Sequence, residues 1–195
     1  MAFFSNLKYN LKSNKEAICM IIKKFFGDRK SIADMLLFLT SHILLLSFFI
    51  LFISSIFFFF NCAINIFILP LSFLLSSITC FVFYKEEFKG QPISNILVVI
   101  SLLIFTYLSS YFLADTFYDI SWDGQEYHQE IIIQLSENEW NPIKEDILRS
   151  VDEYMAPWVE HYPKSSEILA SSIFVITNSI ESGKMFNLLF IYASF

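Results

Sequence analysis

Polar and apolar residues separate along this chain in long blocks, not in short alternations. From Met35 to Tyr84 there are fifty residues without Asp, Glu, Lys or Arg. One helix needs about 20 apolar residues to cross a bilayer. A single straight helix of this length would overshoot the hydrocarbon core more than twofold at about 1.5 Å per residue. The block therefore reads as two spans joined by a tight turn. Asn61 to Asn65 is the natural turn, because its amides interrupt the run Phe57–Phe60. Pro70 then falls inside the second span, where a kink is expected. The cluster Lys85-Glu86-Glu87-Phe88-Lys89 ends that span, and a third uncharged run covers Gly90 to Ala114, of which 93–113 fits one crossing. Residues 166–179 are apolar with several serines and predict a fourth span, and 185–195 begin a further apolar segment. The expected fold is all-α: a polytopic transmembrane helical bundle of four to five membrane segments with one external acidic loop containing short helices.

Between these blocks lies sequence of another kind. Residues 114–165 carry twelve acidic groups against Lys144, Arg149 and Lys164, and hold all three tryptophans, Trp122, Trp140 and Trp158. Tryptophan favours the membrane–water interface, so this loop is expected to lie against the bilayer. Asp123 to Leu135 has helical periodicity, with Tyr127, Ile131, Ile132 and Leu135 on one side. Asn141-Pro142 and Tyr162-Pro163 read as breaks.

Composition supports the same class. Hydrophobic residues make up 55% of the 195 and charged residues 16%, against about 25% charged in a typical soluble domain. That excludes a disordered chain, a collagen-like fibre and a disulfide-rich secreted domain, and disfavours a soluble globular one. The net charge of −6 conceals an asymmetry, since residues 1–34 carry seven basic groups against three acidic ones. This basic leader is too sparse for a nucleic-acid arm, and it places the N-terminus inside, beside anionic lipid headgroups. The Asn61–Asn65 turn is then outside, the Lys85–Lys89 loop inside and the loop after Ala114 outside. The stretch Ala17–Phe26 reads equally as a short interfacial helix or as plain leader. Cys19, Cys62 and Cys80 imply no disulfide framework. No secretory signal is visible, and the last apolar segment stops after eleven residues, which suggests the front part of a longer protein.

Three constellations carry candidate chemistry. The first is Asp119-Ile-Ser-Trp-Asp123-Gly-Gln-Glu-Tyr-His128, with two carboxylates just beyond a span. A carboxylate at a membrane boundary is partly desolvated, which raises its pKa toward that of a general base. Helical spacing pairs Asp123 with Tyr127 and Gln125 with His128. The plain alternative is that Asp123 caps a helix. The second is Trp158-Val-Glu-His161-Tyr-Pro-Lys164, whose His161 and Lys164 suit a phosphate or diphosphate headgroup. Its alternative is a turn into a helix with Lys164 snorkelling to the surface. The third, Glu181-Ser-Gly-Lys184 with Asn187, reads as a solvated inside turn if 166–179 returns across the membrane. There is no Gly-rich phosphate loop, no Cys/His zinc spacing and no nucleophilic-serine motif. Asp119, Asp123, His128 and His161 could offer ligands to a divalent metal, but their spacing is not diagnostic and no metal residue is assigned.

The order of these motifs resembles the N-terminal part of GT-C type membrane glycosyltransferases, such as protein O-mannosyltransferases and lipid A aminoarabinose transferases. Asp123 within Trp-Asp-Gly-Gln-Glu-Tyr-His matches the acidic motif that opens the family's first large external loop. His161-Tyr-Pro-Lys matches its later His-Pro-Pro-Leu type motif, and Glu181-Ser-Gly-Lys184-Met-Phe-Asn187 resembles its Glu-x-x-x-Arg-Leu stretch. The likeness covers about 120–190. It departs from the family at Tyr162 and Lys164, and in having two extra spans before the acidic loop. The resemblance implies an enzyme of a bacterial inner membrane that takes a sugar from a polyprenyl-phosphate donor in the outer leaflet. It implies Asp123 as the base, Asp119 and His128 as further acid–base candidates, Lys164 and His161 on the departing phosphate, and Gln125 and Tyr127 at the substrate. No nucleotide cofactor is expected, and the expected partners are membrane lipids. A non-catalytic assembly subunit that uses the acidic loop is the alternative. Transport is disfavoured, since His42 is the one clear ionisable group within the spans.

Overall fold

The computed structural model describes residues 29–88, 93–137, 140–144, 154–161 and 163–194. The basic leader up to residue 28 with Cys19 and Ala17–Phe26, the Lys89 end of the Lys85–Lys89 cluster, the Gly90–Pro92 start of the third uncharged run, residues 138–139 and 145–153, Tyr162 and Phe195 lie outside the described residues. The described residues contain helices and turns and no strand. Three long helices open the fold: α1 (Arg29–Phe59), α2 (Ile68–Phe88) and α3 (Ile93–Thr116). Within them Ile32–Phe59, Ile68–Glu87 and Asn95–Thr116 are long and apolar enough to cross a membrane. Three such helices mark a membrane-associated protein, as the uncharged blocks predict.

The turn between α1 and α2 falls where the amides predict it. Asn61 adopts a left-handed φ of 62° just past the end of α1, a conformation that asparagine tolerates better than most residues. Asn65 Oδ1 accepts from Phe67 N at 3.0 Å and sets the entry to α2. Pro70 corrects one expectation. It sits in the first turn of α2, where its missing N–H has no intrahelical acceptor to lose, so it does not kink the span.

α1 is the central element. Ile43, Leu46, Ile50, Ile53 and Phe58 are buried along it, and they join one apolar core with Leu169, Ile173, Met185, Phe186 and Leu189 from the later helices. α2 packs along α1. The outward faces of α2 and α3 expose Phe73, Leu74, Phe81, Ile104, Phe105 and Phe112. An apolar surface this continuous is stable when it faces lipid.

The described parts of the acidic region pack over one end of this bundle. A π-helical turn, Gly124–His128, leads into α4 (Gln129–Ser136). Tyr127, Ile131, Ile132 and Leu135 are all buried, as the periodicity predicts. α5 (Ala156–His161) and α6 (Ser165–Thr177) follow, then a 3₁₀ turn, Ile180–Lys184, and α7 (Met185–Ser194). Trp140 departs from the expected interfacial role: it is 2% exposed and belongs to the core, whereas Trp122 and Trp158 are exposed. Beside it, Asn141 Nδ2 donates to Phe58 O at 2.8 Å and to Asn61 Oδ1 at 3.0 Å. Lys144 Nζ donates to Phe59 O at 2.6 Å. Two of these bonds reach Phe58 O and Phe59 O in the last turn of α1, whose carbonyls lack i+4 helical partners, and Phe58 O also accepts from Asn61 N at 3.1 Å. Asn141→Ala should therefore lower stability by about 1–3 kcal/mol, the usual range when a buried partner is lost. Thermal unfolding of the purified chain in detergent checks this, with Lys144→Ala expected to cost less because its amine is exposed.

α6 has 13 residues, so it is about 20 Å long at ~1.5 Å per residue. A bilayer core is about 30 Å thick. The chain reverses at Asn178, which is left-handed with a φ of 54°. The residues that follow return to the end of α3. Ser179 Oγ donates to Asp115 Oδ1, and Lys184 Nζ donates to Phe117 O. The 178–184 turn thus stands at the same end of the bundle as the 115–128 segment, and not at the opposite end where a full crossing by 166–179 would put it.

Candidate functional site

The residues after α3 build a small hydrogen-bonded knot. Asp119 Oδ1 accepts from Ser121 N at 2.9 Å and from Ser121 Oγ at 2.6 Å. Ser121 Oγ in turn accepts from Gly124 N at 3.0 Å. Ser121 is therefore the N-cap of the following helix, since its side chain bonds the amide three residues on. The sequence suggested Asp123 for that role, but Asp123 already has helical dihedrals and its side chain makes no capping bond. It lies in the first turn of the helix, where a carboxylate is favoured by the helix dipole. A Cβ at Gly124 would overlap the Asp119 carboxylate and Ser121 Oγ, so a larger residue there must displace the two side chains of the knot.

Asp119 is fixed from a second side. Its backbone N–H donates to both oxygens of Glu181, at 3.2 and 3.1 Å. Glu181 is 7% exposed and also pairs with Lys184 one turn ahead. The hydrogen bonds from Ser121, side chain first and backbone second, hold the Asp119 carboxyl below its usual range, with Lys184 and His128 adding to the effect. A lowered folded-state pKa means that the knot is fully stabilised above the ordinary carboxylate pKa. Its contribution is lost only as pH falls through the lower folded value. A ¹³C titration of the Asp119 carboxyl should give a midpoint below that of an aspartate in an unstructured peptide, and Ser121→Ala should move it back up. An unshifted midpoint in the unmodified chain would contradict this geometry.

His128 lies at the end of the π-helical turn. Its Nδ1 is 2.5 Å from Glu167 Oε1. The Glu167 side chain is 2% exposed while that of His128 is 36% exposed, so a buried carboxylate orients a ring that reaches open space. Ser166 Oγ donates to the other Glu167 oxygen at 2.9 Å. A π-helical turn adds one residue to the local repeat, a feature that often accompanies functional sites.

These groups border one cleft of about 320 Å³. Asp119, His128, Glu167, Glu181, Lys184 and Asn187 supply its polar lining. Ile132, Leu169, Ile180, Phe186 and Phe190 supply the apolar part. Gly183 lets the 3₁₀ turn approach α6, because a Cβ there would lie 2.5 Å from Ala170 Cβ and 3.2 Å from Ala170 Cα.

The other residues singled out from sequence lie elsewhere. Asp123 and Gln125 are exposed and do not border the cleft, although Gln125 Nε2 donates to Asp119 O at 2.9 Å. Tyr127 is buried in the core, with its ring stacked toward Trp158 at 6.4 Å between centroids. His161 is exposed, and its Nδ1 meets Pro157 O at 3.0 Å. Lys164 Nζ donates to Glu160 O at 2.7 Å and stands 5.5 Å from the Trp140 ring centroid. Partial burial lowers its pKa, opposed by Glu167 and Glu160.

Sequence reasoning missed Glu167. The available signal was a lone carboxylate three residues past Lys164 at the head of an apolar segment. It also read Glu181 and Lys184 as a solvated turn, whereas Glu181 is buried and both border the cleft. Among the described residues no group of three His, Cys, Asp or Glu side chains is arranged to hold a metal ion. The fold and the cleft thus define a helical membrane protein with a mixed polar and apolar site at one end of its long helices. No protein family, curated protein or solved structure matches this chain.

Proposed function

We propose that this chain is a membrane-embedded glycosyltransferase of the GT-C kind, which moves a sugar from a polyprenyl-phosphate donor to an acceptor hydroxyl at the outer face of a bacterial inner membrane. In this reading the N-terminus is inside, and the α1–α2 turn and the 114–165 loop are outside. α6 and α7 are the further membrane segments, α6 entering only part of the bilayer.

One observation carries the proposal. Two of the three motifs read separately along the sequence meet at a single cleft. Asp119 and His128 come from the first and Glu181, Lys184 and Asn187 from the third, while Glu167 reaches the same cleft from α6 and no residue of the second motif borders it. The cleft also has the polarity that a lipid-linked sugar needs. Its charged groups gather near the end of α3, while Phe186 and Phe190 continue along α7, which packs on α3 and α1.

The chemistry follows from the geometry. His128, oriented by Glu167, takes the proton of the acceptor hydroxyl. The acceptor oxygen attacks the anomeric carbon, the bond from that carbon to the phosphate oxygen breaks, and its electron pair leaves with the lipid phosphate. Lys184 offsets the charge that develops there. Asp119 is held as an anion by Ser121, which makes it a weak base and a good hydrogen-bond acceptor for sugar hydroxyls. Asp123 lies outside the cleft lining, so the base role passes to His128.

The test is transfer by the full chain in liposomes, using polyprenyl-phosphate donors that carry radiolabelled sugars. The expected result is label release that depends on the lipid phosphate and is lost in His128→Gln. Absence of turnover, together with binding of polyprenyl phosphate no tighter than of polyprenol, would overturn the proposal.

A further inference from the structure

The three long helices hold a second polar system, remote in sequence from the cleft residues. His42 is fully buried at the middle of α1. Its Nδ1 is 2.9 Å from Tyr107 Oη on α3. Its Nε2 is 3.0 Å from Ser77 Oγ and 3.3 Å from Ser76 Oγ on α2. Both serines donate to Phe73 O, at 2.9 and 2.7 Å. A serine hydroxyl has one proton. With those protons on Phe73 O, the serine oxygens accept from His42 Nε2–H, and Nδ1 accepts from Tyr107 O–H. This arrangement satisfies every group and fixes a neutral ring protonated at Nε2.

The same stretch of α2 carries a polar stripe. Ser72, Ser76, Cys80, Tyr84 and Glu87 follow at spacings of four, four, four and three residues, which places them on one helix face. Ser72, Ser76 and Cys80 are fully buried. Toward the Glu87 end the stripe borders an open surface groove between α1 and α2 of about 510 Å³, lined by Leu37, Ser41, Cys80, Tyr84 and Glu87 among others. Ser41, the neighbour of His42, is 2.9 Å from Tyr84 Oη there. Toward the acidic region, Ser72 Oγ and Ser110 Oγ are buried without a hydrogen-bond partner. Ser110 stands one turn beyond Tyr107 on α3. Buried hydroxyls without a protein partner are uncommon, and water is their usual partner.

We infer that α1, α2 and α3 enclose a proton path with His42 as its central relay. A proton reaches Nδ1 from Tyr107 Oη while the proton on Nε2 passes to Ser77 Oγ. Tyr107 regains a proton from water held near Ser110, and Ser77 passes its own proton to water on the Cys80–Tyr84 side. The ring ends neutral with its proton on Nδ1, and a flip of the ring about Cβ–Cγ together with rotation of the hydroxyls restores the starting pattern of donor and acceptor. The titratable groups of this path are Tyr107 on α3, Cys80, Tyr84 and Glu87 on α2, and His42 itself on α1. An ionisable residue inside membrane-spanning helices is costly and is by default a functional-site candidate, proton relays being one such use. This inference is independent of the transferase reading.

The test places the full chain in phosphatidylcholine liposomes that contain a pH-sensitive dye, with valinomycin present and an external pH step applied. Acidification faster than in protein-free vesicles is expected, falling to the protein-free rate in His42→Leu and in Tyr107→Phe. An unmodified chain that matches empty vesicles would overturn the inference, as would a His42→Leu chain as fast as the unmodified one. Solid-state ¹⁵N spectra of the unmodified chain need no variant to fold. They should show His42 protonated at Nε2 and in polarisation transfer with water, and a dry ring would overturn the inference on its own.

Discussion

Glu167→Gln should lower sugar transfer by about a hundredfold or more, the range for losing an oriented general base, with the chain still folded and inserted. Glu167 is almost completely buried and touches His128 Nδ1 at 2.5 Å. A glutamine fills the same space, and its amide oxygen can still accept from Nδ1–H. It cannot stabilise the imidazolium that forms when His128 takes a proton. The loss should therefore fall on kcat and leave donor binding nearly unchanged. Glu167→Ala should in addition reduce stability, because it opens space in α6 and removes the partner of Ser166 Oγ. Steady-state transfer kinetics with each variant separate these effects. Equal loss of donor affinity and turnover in Glu167→Gln would assign Glu167 to substrate binding instead.

Gly183→Ala should have the largest effect on the architecture of the cleft. The added Cβ would stand 2.5 Å from Ala170 Cβ and 3.2 Å from Ala170 Cα. The second of these is backbone of α6, so no side-chain rotation relieves the overlap. Either the 3₁₀ turn or α6 must move, and such overpacking costs about 1–3 kcal/mol. Displacement of the turn would carry Glu181 and Lys184 away from Asp119 N and Phe117 O, to which they are bonded. A lower unfolding temperature with loss of transfer is expected. The paired change Ala170→Gly with Gly183→Ala should restore much of both, because the Cβ that is met most closely is then absent. Failure of that rescue, with full loss of stability, would make crowding against the α6 backbone the decisive term.

The long helices were legible because hydrophobic burial in lipid needs an uninterrupted apolar run, and charge marks its ends. The bounds of α1, α2 and α3 fall close to those that Met35–Tyr84 and 93–113 imply. The buried face of α4 was legible for the related reason that Tyr127, Ile131, Ile132 and Leu135 repeat at helical spacing. Pro70 was misjudged because its effect depends on its distance from the helix start, and that start is set by Asn65 and Phe67, not by hydropathy. The site was less legible. Asp119 and His128 stood out as polar groups beside a span. Glu167 and Glu181 gain their meaning from partners 39 and 62 residues away, and no local pattern encodes such pairings. Length separated α6 from a full crossing only once its ends were fixed, by Lys164 at one side and the left-handed Asn178 at the other.

Central to the transferase reading is that the cleft binds a lipid-linked substrate. The most direct measurement is photo-crosslinking of the full chain in liposomes with a polyprenyl phosphate that carries a photoreactive group beside the phosphate, followed by mapping of the labelled peptides. The expected result is labelling in 119–128 and 180–190 that unlabelled polyprenyl phosphate competes away and polyprenol does not. Labelling confined to the lipid-facing sides of α2 and α3, or indifferent to the competitor, would contradict it.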